Sequence, residues 1–379
     1  MLEGNRTLLL VTAEDVEDAR SEVRAGLSPR KDYLELAGAL GADILALSDV
    51  QANPTARRLD RLVRRGAGHA YLASRRISEY DTIYSDGEHM GLLLGIALAR
   101  KQHRPRHVML GHSLSAWKKR PLAAFARDGI DAVVVHCSAQ VDFAIHTLLI
   151  DPGRVYLIPY QVDVDFWKPQ TGGDELVLVS AGLERRDYGT LIEAVRDLPV
   201  GVRVAASSRW SHNRDRLRGR RLPLNMTVGA YDYVRLRELY SQARFVVVPV
   251  QDVDFQAGIT TILEAMAMGK AVIATRTRGQ RETVVGPLWR SGQTTWPTDS
   301  PSPEDSTGIY VPPRDADALR SAISYLLARP ELVSVLGGNG RRFAEEHVNT
   351  NRFVERLAPI IDPAYSSAGF AATDLPRGA

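Results

Sequence analysis

Short apolar runs alternate with segments of helical spacing along most of the chain. The runs are rich in Leu, Ile and Val, and apolar residues between them recur every third or fourth position, as in amphipathic helices. Buried strands that alternate with helices predict a parallel sheet covered on both faces. In the first part, the predicted strands are residues 6–12, 42–48, 81–85, 106–112, 131–137 and 154–159, and the predicted helices are 31–40, 91–101, 122–129 and 140–150.

The alternation stops at residues 158–175, where two prolines and a Gly-Gly pair predict a linker. It then begins again and is interrupted by residues 289–307, which are rich in Pro, Ser and Thr and are predicted to form an exposed loop. The predicted strands of this second part are residues 176–182, 202–207, 226–231, 244–250, 270–275 and 308–313, and the predicted helices are 187–198, 233–243, 260–269 and 316–328.

The repeated pattern predicts an α/β protein with two Rossmann-like domains that face each other across a cleft. Residues 1–160 form the first domain and residues 161–345 the second. Residues 346–379 are predicted to be a C-terminal helix and tail that pack back toward the first domain. Ligands of such sheets bind outside the carboxyl ends of the strands, which places the expected site in the cleft.

Composition is that of a globular protein, with 44% apolar and 25% charged residues. No window approaches the ~20 apolar residues of a membrane-spanning helix, and the apolar run in MLEGNRTLLLV is too short for a signal peptide. The single cysteine, Cys137, allows no intramolecular disulfide. We therefore expect a cytoplasmic protein.

Positive charge is unevenly placed, although the net charge is only +3. Several arginines of the segment ARRLDRLVRR fall on one helical face, and the segments ARKQHRPRH (99–107) and WKKR (117–120) add to them. One interpretation is attraction to anionic lipid headgroups at the inner face of the membrane, or to a phosphorylated acceptor. The other is a solvated surface on which Leu59 and Leu62 pack inward. Nucleic acid is disfavoured because no aromatic residues are interleaved with the basic ones. The arginines of the first segment are Arg57, Arg58, Arg61, Arg64 and Arg65.

The segment QAGITTILEAMAMGKAVIAT carries a lone carboxylate, Glu264, near the start of an apolar helix. If this helix begins near Thr260 or Thr261, Gly258 frees the backbone to present unpaired N–H groups, which form an anion site. Glu264 would lie about one turn further on, where an ionised carboxylate can accept hydrogen bonds from sugar or ribose hydroxyls. The alternative is a carboxylate that only stabilises the helix N-terminus.

A second anion site is predicted in SAGLERRDYGTLIEAV, where a strand ends at Gly182 and a polar loop precedes a helix. The loop carries Arg185 and Arg186, whose guanidinium groups could hold a diphosphate in a bidentate manner. Paired surface arginines are common, so this signal gains weight only together with the Gly-Thr turn. The two loops together predict a bound nucleoside diphosphate.

The order of these segments resembles the retaining nucleotide-sugar glycosyltransferases of family 4. The resemblance rests on GLERRDYGTLIEA, GAYDYVRLRELYSQARFVVVP, QAGITTILEAMAMGKAVIAT, RGQRETV and GIYVPPRDADALRSAI, and in the first half on HVMLGHSLSAWKK and VVVHCSAQVDFAIHTLLIDPGRVYLIPYQVDVDFW. It covers residues 81–313 and implies the GT-B fold, with an acceptor-side first domain and a donor-binding second domain. It also implies metal-independent transfer of a sugar by front-face attack, without an enzymic nucleophile.

The resemblance implies site residues position by position. Glu264 matches the second Glu of the Glu-x7-Glu motif and would bind the donor ribose, and Arg186 stands where the family has a lysine beside the phosphates. His112 would face the donor sugar from the first domain. These three are the predicted catalytic residues. The predicted donor-binding residues are Arg185, Gln256, Ala257, Gly258, Ile259, Thr260, Thr261 and Glu282, and the acceptor-side candidates are Glu88, His89 and Lys118.

Two departures from the family pattern concern the donor. Gln256 replaces the first Glu of the motif, which contacts the donor sugar, and the Gly-Arg-Leu phosphate motif is shortened to AGLERRD. His112 is also compatible with a satisfied strand-end histidine. No His, Cys and Asp cluster has the spacing of metal ligands, so we expect neither metal nor cofactor apart from the nucleotide-sugar co-substrate.

The residues together with the resemblance predict a hexosyltransferase-type glycosyltransferase, and the expected acceptor is a lipid-linked molecule or a glycan. Two alternatives remain open. A nucleotide-sugar epimerase on the same fold would react with the donor alone. A degenerate homologue, suggested by Gln256, would bind a nucleoside diphosphate without turnover.

Overall fold

The computed structural model of the protein describes residues 5–115, 120–170, 176–206 and 221–365. Lys118, one of the acceptor-side candidates, lies outside these ranges. The chain divides into two compact units. Unit 1 comprises residues up to Gly26, Arg30–Pro159 and the residues from Thr350 onward, and unit 2 comprises Leu27–Pro29 and Tyr160–Asn349.

Unit 1 contains a six-stranded parallel sheet with the strand order β2-β1-β3-β4-β5-β6. Its strands are β1 (Thr7–Leu10), β2 (Asp43–Leu45), β3 (Thr82–Ser85), β4 (Arg106–Gly111), β5 (Ala132–Val135) and β6 (Val155–Leu157). Its helices up to residue 159 are α1 (Val16–Arg24), α2 (Asp32–Leu40), α3 (Leu47–Ala52), α4 (Pro54–Leu62), α5 (Ala67–Arg75), α6 (Glu88–Leu98), α7 (Arg120–Ala126) and α8 (Ser138–His146).

Unit 2 repeats this plan with a second six-stranded parallel sheet in the order β12-β11-β10-β7-β8-β9. Its strands are β7 (Val177–Ala181), β8 (Gly201–Ala205), β9 (Met226–Gly229), β10 (Phe245–Val248), β11 (Val272–Thr275) and β12 (Gly308–Val311). Its helices are α9 (Tyr188–Val195), α10 (Tyr233–Gln242), α11 (Ile259–Ala267), α12 (Ala316–Leu327) and α13 (Pro330–His347). The last helix, α14 (Thr350–Ile361), belongs to unit 1, where it packs against α2.

Side chains alternate between two apolar layers on opposite faces of each sheet. In β10, Phe245 and Val247 enter one layer, whereas Val246 and Val248 enter the other. Because both faces are buried, each central strand is a continuous apolar run, which is why the strands could be predicted from sequence. The predicted α/β class and all twelve predicted strands are confirmed, with ends that differ by a few residues.

The structure adds detail to two sequence predictions and shows that a third is wrong in part. The arginine segment is helical only to Leu62, so Arg64 and Arg65 lie beyond α4. The segment predicted as a linker contains the boundary between the units at Pro159 and Tyr160, and residues 171–175 of it lie outside the described ranges. Its Trp167 is buried beside Tyr240, with ring centroids 5.7 Å apart. The predicted exposed loop begins with Trp289, which is fully buried: its ring packs on Tyr325, and its indole N–H donates to Ser321 Oγ (3.1 Å). The prediction of an exposed loop is therefore wrong at this residue.

Candidate active site

Three loops of unit 2 meet at the carboxyl edge of its sheet, where β10 lies between β7 and β11. The loop after β7 pairs with the segment after β10: the Asp187 amide donates to Pro249 O (2.9 Å) and the Gln251 amide to Arg185 O (2.8 Å). The Val250 amide donates to Thr275 Oγ1 at the end of β11 (3.1 Å). Adjacent parallel strands thus bring together two segments that the sequence separates by about seventy residues.

Arg186 lies buried at the centre of this edge and is only 4% exposed. Its Nε donates to Ala181 O (2.7 Å), Nη1 to Glu184 O (2.9 Å) and Nη2 to Thr261 Oγ1 (2.9 Å). Burial lowers the pKa of the Arg186 guanidinium, and the neighbouring Tyr188, Tyr240 and Glu264 oppose that shift. The side chain therefore fixes the end of β7, the following loop and the first turn of α11 as one assembly.

Two glycines make room for this guanidinium. A Cβ on Gly182 would lie 2.4 Å from Arg186 Nη2, and one on Gly258 would lie 2.8 Å from a methyl of Val248. Both glycines also have positive φ, 93° and 83°, which L-residues rarely adopt. Glycine is required at each position by space and by backbone conformation together.

The N-terminus of α11 has the geometry of an anion site. Gly258 is the N-cap residue and has no side chain to cap the N–H groups of the first turn, and uncapped groups of this kind are what an anion can bind at a helix N-terminus. Thr260 is exposed in this turn, whereas Ala257, Ile259 and Thr261 are buried. The predicted helix start is confirmed to within a residue or two.

Glu264 lies on the second turn of α11 and accepts a hydrogen bond from the Tyr240 hydroxyl at Oε2 (3.0 Å). Burial and the charge of Glu264 raise the pKa of Tyr240 well above its usual range, so the phenol remains a donor. A carboxylate offers several acceptor positions, and the hydrogen bond from Tyr240 uses one of them and orients the group.

Arg185 differs from its neighbour in that its side chain is about half exposed. Its backbone has φ of 52°, and its Nε lies 3.6 Å from Glu184 Oε1. The two arginines predicted as a pair are therefore unlike: Arg186 organises the loops from inside, and Arg185 is accessible to a ligand.

Gln256 belongs to a chain of neutral polar groups beside the same loops. Its Nε2 donates to Thr283 Oγ1 (3.4 Å), and that hydroxyl donates to Gln280 Oε1 (3.4 Å). Within the described part of the chain, Gln256 Oε1 and Gln280 Nε2 are buried without a hydrogen-bond partner. Glu282 is about one-third exposed, with Oε1 3.6 Å from Arg281 Nε.

Unit 1 gathers its candidates in the same way, at the carboxyl ends of β3, β4 and β5. The His112 amide donates to Oε2 of the buried Glu88 (2.9 Å), which is the first residue of α6. His112 Nε2 lies 4.0 Å from Asp86 Oδ1, and its ring centroid is 5.5 Å from that of His136. The structure thus brings the predicted residues His112 and Glu88 together.

Electrostatics in this cluster favour neutral groups. Burial lowers the pKa of His89 to about 4 and that of His136 to about 3. Burial, with the charges of Asp32 and Glu88, raises the pKa of Asp86 well above its usual range. At neutral pH these imidazoles are therefore uncharged, so one ring nitrogen of each can donate a hydrogen bond and the other can accept one.

Sequence reasoning missed Tyr240 beside Glu264 in unit 2, and it missed Asp86 and His136 beside His112 in unit 1. Asp86 follows β3 and His136 follows β5, so the rule that sites lie at strand ends could have found them. Tyr240 had no such signal, because it lies inside α10 and approaches Glu264 only through packing. In the portions of the chain that the structure describes, no three His, Cys, Asp or Glu residues are arranged to hold a metal ion.

Comparisons with known proteins agree with this geometry. Residues 177–329 match the family described as Glycosyl transferases group 1. Sucrose-phosphate synthase from Thermosynechococcus elongatus superimposes with a TM-score of 0.69 at 21% identity, covering 94% of this chain and 98% of that one. A glycosyltransferase from Rickettsia africae gives 0.65 at 16% identity, with 95% and 98% covered. Anabaena HepE in complex with UDP and glucose gives 0.64 at 14% identity, with 93% and 98% covered. No curated protein matches the sequence.

The chain therefore has the GT-B fold of these structures, as predicted. The match over residues 177–329 includes β7 to α12 and with them the loops around Arg186 and α11. Together, the fold and this match support a glycosyltransferase.

Proposed function

We propose that the protein transfers a sugar from a nucleoside diphosphate sugar to an acceptor, with retention of anomeric configuration and without a metal ion. The observation that carries the proposal is the match of residues 177–329 to glycosyltransferases of group 1, since these residues form the loops at the carboxyl edge of the sheet in unit 2. Anabaena HepE, which has a similar fold, binds UDP, and this supports a nucleotide as the donor's leaving group.

The diphosphate binds at the N-terminus of α11 in this proposal. N–H groups after Gly258 and the exposed guanidinium of Arg185 supply hydrogen bonds and positive charge. Arg186 adds a buried positive charge beside the same turn and holds Thr261 in place. The ribose hydroxyls donate to Glu264, whose orientation is set by Tyr240.

Catalysis rests on stabilising charge as the glycosidic bond opens. The bond between the anomeric carbon and the diphosphate oxygen breaks, and its electron pair passes to that oxygen, where the arginines and helix N–H groups stabilise it. The acceptor hydroxyl attacks the same face and its proton leaves with the departing diphosphate. Gln256 and Glu282 contact the donor sugar from unit 2, and His112 is the contact that we assign to unit 1.

The acceptor side of the proposal falls on the cluster of unit 1. Glu88 and His89 are its candidates, and Lys118 is a third that lies outside the described residues. The acceptor class that we favour is a lipid-linked molecule or a glycan. We place the enzyme in the cytoplasm, in line with its single, buried cysteine.

A thermal-shift screen with UDP, GDP, ADP and dTDP and their sugars tests the proposal, because a ligand that binds only the folded state raises the melting temperature. We expect one nucleotide series to stabilise the protein, followed by sugar transfer with that donor when candidate acceptors are added. Conversion of the donor alone would favour the epimerase. Binding without turnover on any acceptor would favour the degenerate homologue, and no shift with any nucleotide would refute all three.

A further inference from the structure

Helix α4 is anchored to unit 1 by one face and by its single acidic residue. Ala56 is fully buried, and a Cβ added to Gly68 of α5 would lie 2.8 Å from its carbonyl oxygen. Asp60 Oδ1 accepts hydrogen bonds from the amides of Gly66 (3.1 Å) and Gly68 (2.6 Å). The Asp60 carboxylate therefore accepts hydrogen bonds from backbone amides on the side of α5 and does not lie on the exposed face of α4 that carries the arginines.

The exposed face of α4 carries unpaired positive charge. Arg57, Arg58 and Arg61 are exposed, and in the described ranges none of them forms an ion pair with a carboxylate. Two other arginines of unit 1 are paired with carboxylates, Arg76 with Glu79 (2.9 Å) and Arg104 with Asp131 (2.6 Å). An unpaired cluster attracts anions over a Debye length.

Apolar side chains adjoin these arginines. Leu62, the last residue of α4, is 67% exposed, and Val63 is 62% exposed. The expectation that Leu62 packs inward is therefore wrong. An open depression of about 370 Å³ lies on this face of α4. Its lining residues recur every three or four positions along the helix and are Pro54, Arg57, Arg58, Arg61 and Leu62.

We propose that this face of α4 docks on the surface of an anionic lipid bilayer. Arg57, Arg58 and Arg61 contact lipid phosphates, and Leu62 and Val63 enter the boundary between headgroups and acyl chains. The apolar pair decides between partners, because a nucleic acid or a free phosphate would bind the arginines and leave Leu62 and Val63 in water. No residue of α4 belongs to the predicted catalytic machinery, so the proposal stands apart from that of sugar transfer.

Three arginines near an anionic surface contribute on the order of 1 kcal/mol each, so their reversal to Glu should lower the partition coefficient at least 100-fold. Membrane binding by α4 would hold the protein reversibly, without a spanning segment. None of the helices in the described part of the chain is long and apolar enough to cross a bilayer.

Sedimentation with vesicles tests the inference on the full chain. We expect binding to phosphatidylcholine vesicles that contain phosphatidylglycerol, loss of binding at high salt, and none to phosphatidylcholine alone. The variant Arg57→Glu/Arg58→Glu/Arg61→Glu should not bind. The matched control Arg24→Glu/Arg100→Glu/Lys101→Glu makes the same change in net charge on exposed residues outside α4, and should keep most of the binding.

The variant Leu62→Ser/Val63→Ser separates a bilayer from other anions. We expect it to bind vesicles several-fold more weakly at one salt concentration while its melting temperature stays that of the wild type. Three results would overturn the inference: no binding of the wild type at low salt, equal loss in the matched control, or full binding by the Ser variant. Displacement of the protein from vesicles by inorganic phosphate at millimolar concentration would show a phosphate site instead.

Discussion

At the scale of single residues, neighbours in sequence have different tasks. Arg185 and Arg186 are adjacent, yet one is half exposed and the other makes three hydrogen bonds in the interior. The contact from Arg186 to Thr261 joins residues that are 75 positions apart. No local pattern could predict which of two adjacent arginines turns inward, because that choice depends on the space beside Gly182 and Gly258.

Single substitutions should separate these tasks. We expect Arg185→Ala to weaken nucleoside diphosphate binding by about 1–2 kcal/mol, as when one charge-assisted hydrogen bond is lost, with an unchanged melting temperature. Arg186→Ala leaves buried acceptors without a donor and should destabilise the fold by about 3 kcal/mol. Calorimetry and thermal unfolding measure the two effects. A stable Arg186→Ala protein, or an Arg185→Ala protein of full affinity, would contradict this division.

Glu264→Gln keeps the shape of the side chain and an acceptor for the Tyr240 hydroxyl. If Glu264 accepts from the ribose, loss of its charge should weaken donor binding about tenfold with little effect on stability, since hydrogen bonds to charged groups are stronger by roughly 1 kcal/mol or more. Tyr240→Phe is the control: it should lower the melting temperature more than the affinity. If Glu264→Gln mainly changed stability, its role would be that of a charge at the helix N-terminus.

His107 makes stability depend on pH. It is fully buried in β4, with Nε2 2.9 Å from Ser85 Oγ and Nδ1 2.9 Å from Gly129 O. Burial lowers its pKa to about 4 from the ordinary 6.5, so the unfolded chain takes up the proton first as pH falls. The stabilisation is complete above pH 6.5 and is lost as the pH falls toward 4.

Between pH 7 and pH 5 this one histidine should cost about 2 kcal/mol of unfolding free energy. Denaturant titrations at both pH values measure the loss. We expect His107→Gln, which cannot take up the proton, to lose about 2 kcal/mol less than the wild type. His103→Gln, at an exposed position, should follow the wild type. Parallel behaviour of the two variants would show that His107 does not titrate as described.

At the scale of elements, the strands were predictable and several helices were not. A strand buried on both faces is apolar throughout, whereas α1 buries none of its residues and so leaves no apolar pattern. The sequence also located the loop after β7 and the turn before α11, because glycine next to a helix start is a local signal. What it could not show was their pairing, which arises from the order of β7 and β10 in the sheet.

The start of α11 depends on the backbone conformation of Gly258. We expect Gly258→Ala to destabilise the protein by about 2 kcal/mol and to weaken nucleotide binding, since alanine is strained at φ of 83° and its Cβ would meet Val248. Gly338→Ala is the matched control: Gly338 lies exposed inside α13 with nothing within 4 Å of its Cβ position, so alanine should be neutral or slightly stabilising. Thermal unfolding of both variants checks the difference, and equal effects would show that α11 tolerates a side chain at its cap.

At the scale of the whole molecule, the chain builds the same sheet plan twice and then returns to its first unit. The amphipathic α14 buries Phe353, Leu357 and Ile361 in the core that contains Leu36 of α2. The last described helix therefore belongs to unit 1, although residues 160–349 of unit 2 precede it in the chain. After Asn349 the chain passes from unit 2 back into unit 1.

Charge balance over the donor site leads to the last prediction, that transfer needs no divalent metal. A departing nucleoside diphosphate gains negative charge, and the chain places the exposed Arg185, the buried Arg186 and the open N-terminus of α11 around one loop system. Such fixed donors can take the place of a metal ion in stabilising that charge. With an active donor and acceptor, activity should therefore survive EDTA, and added magnesium should change it little. EDTA saturated with magnesium controls for effects of the chelator itself. Complete loss of activity in EDTA, restored by magnesium or manganese, would show that the arginines are insufficient and that a metal ion shares their task.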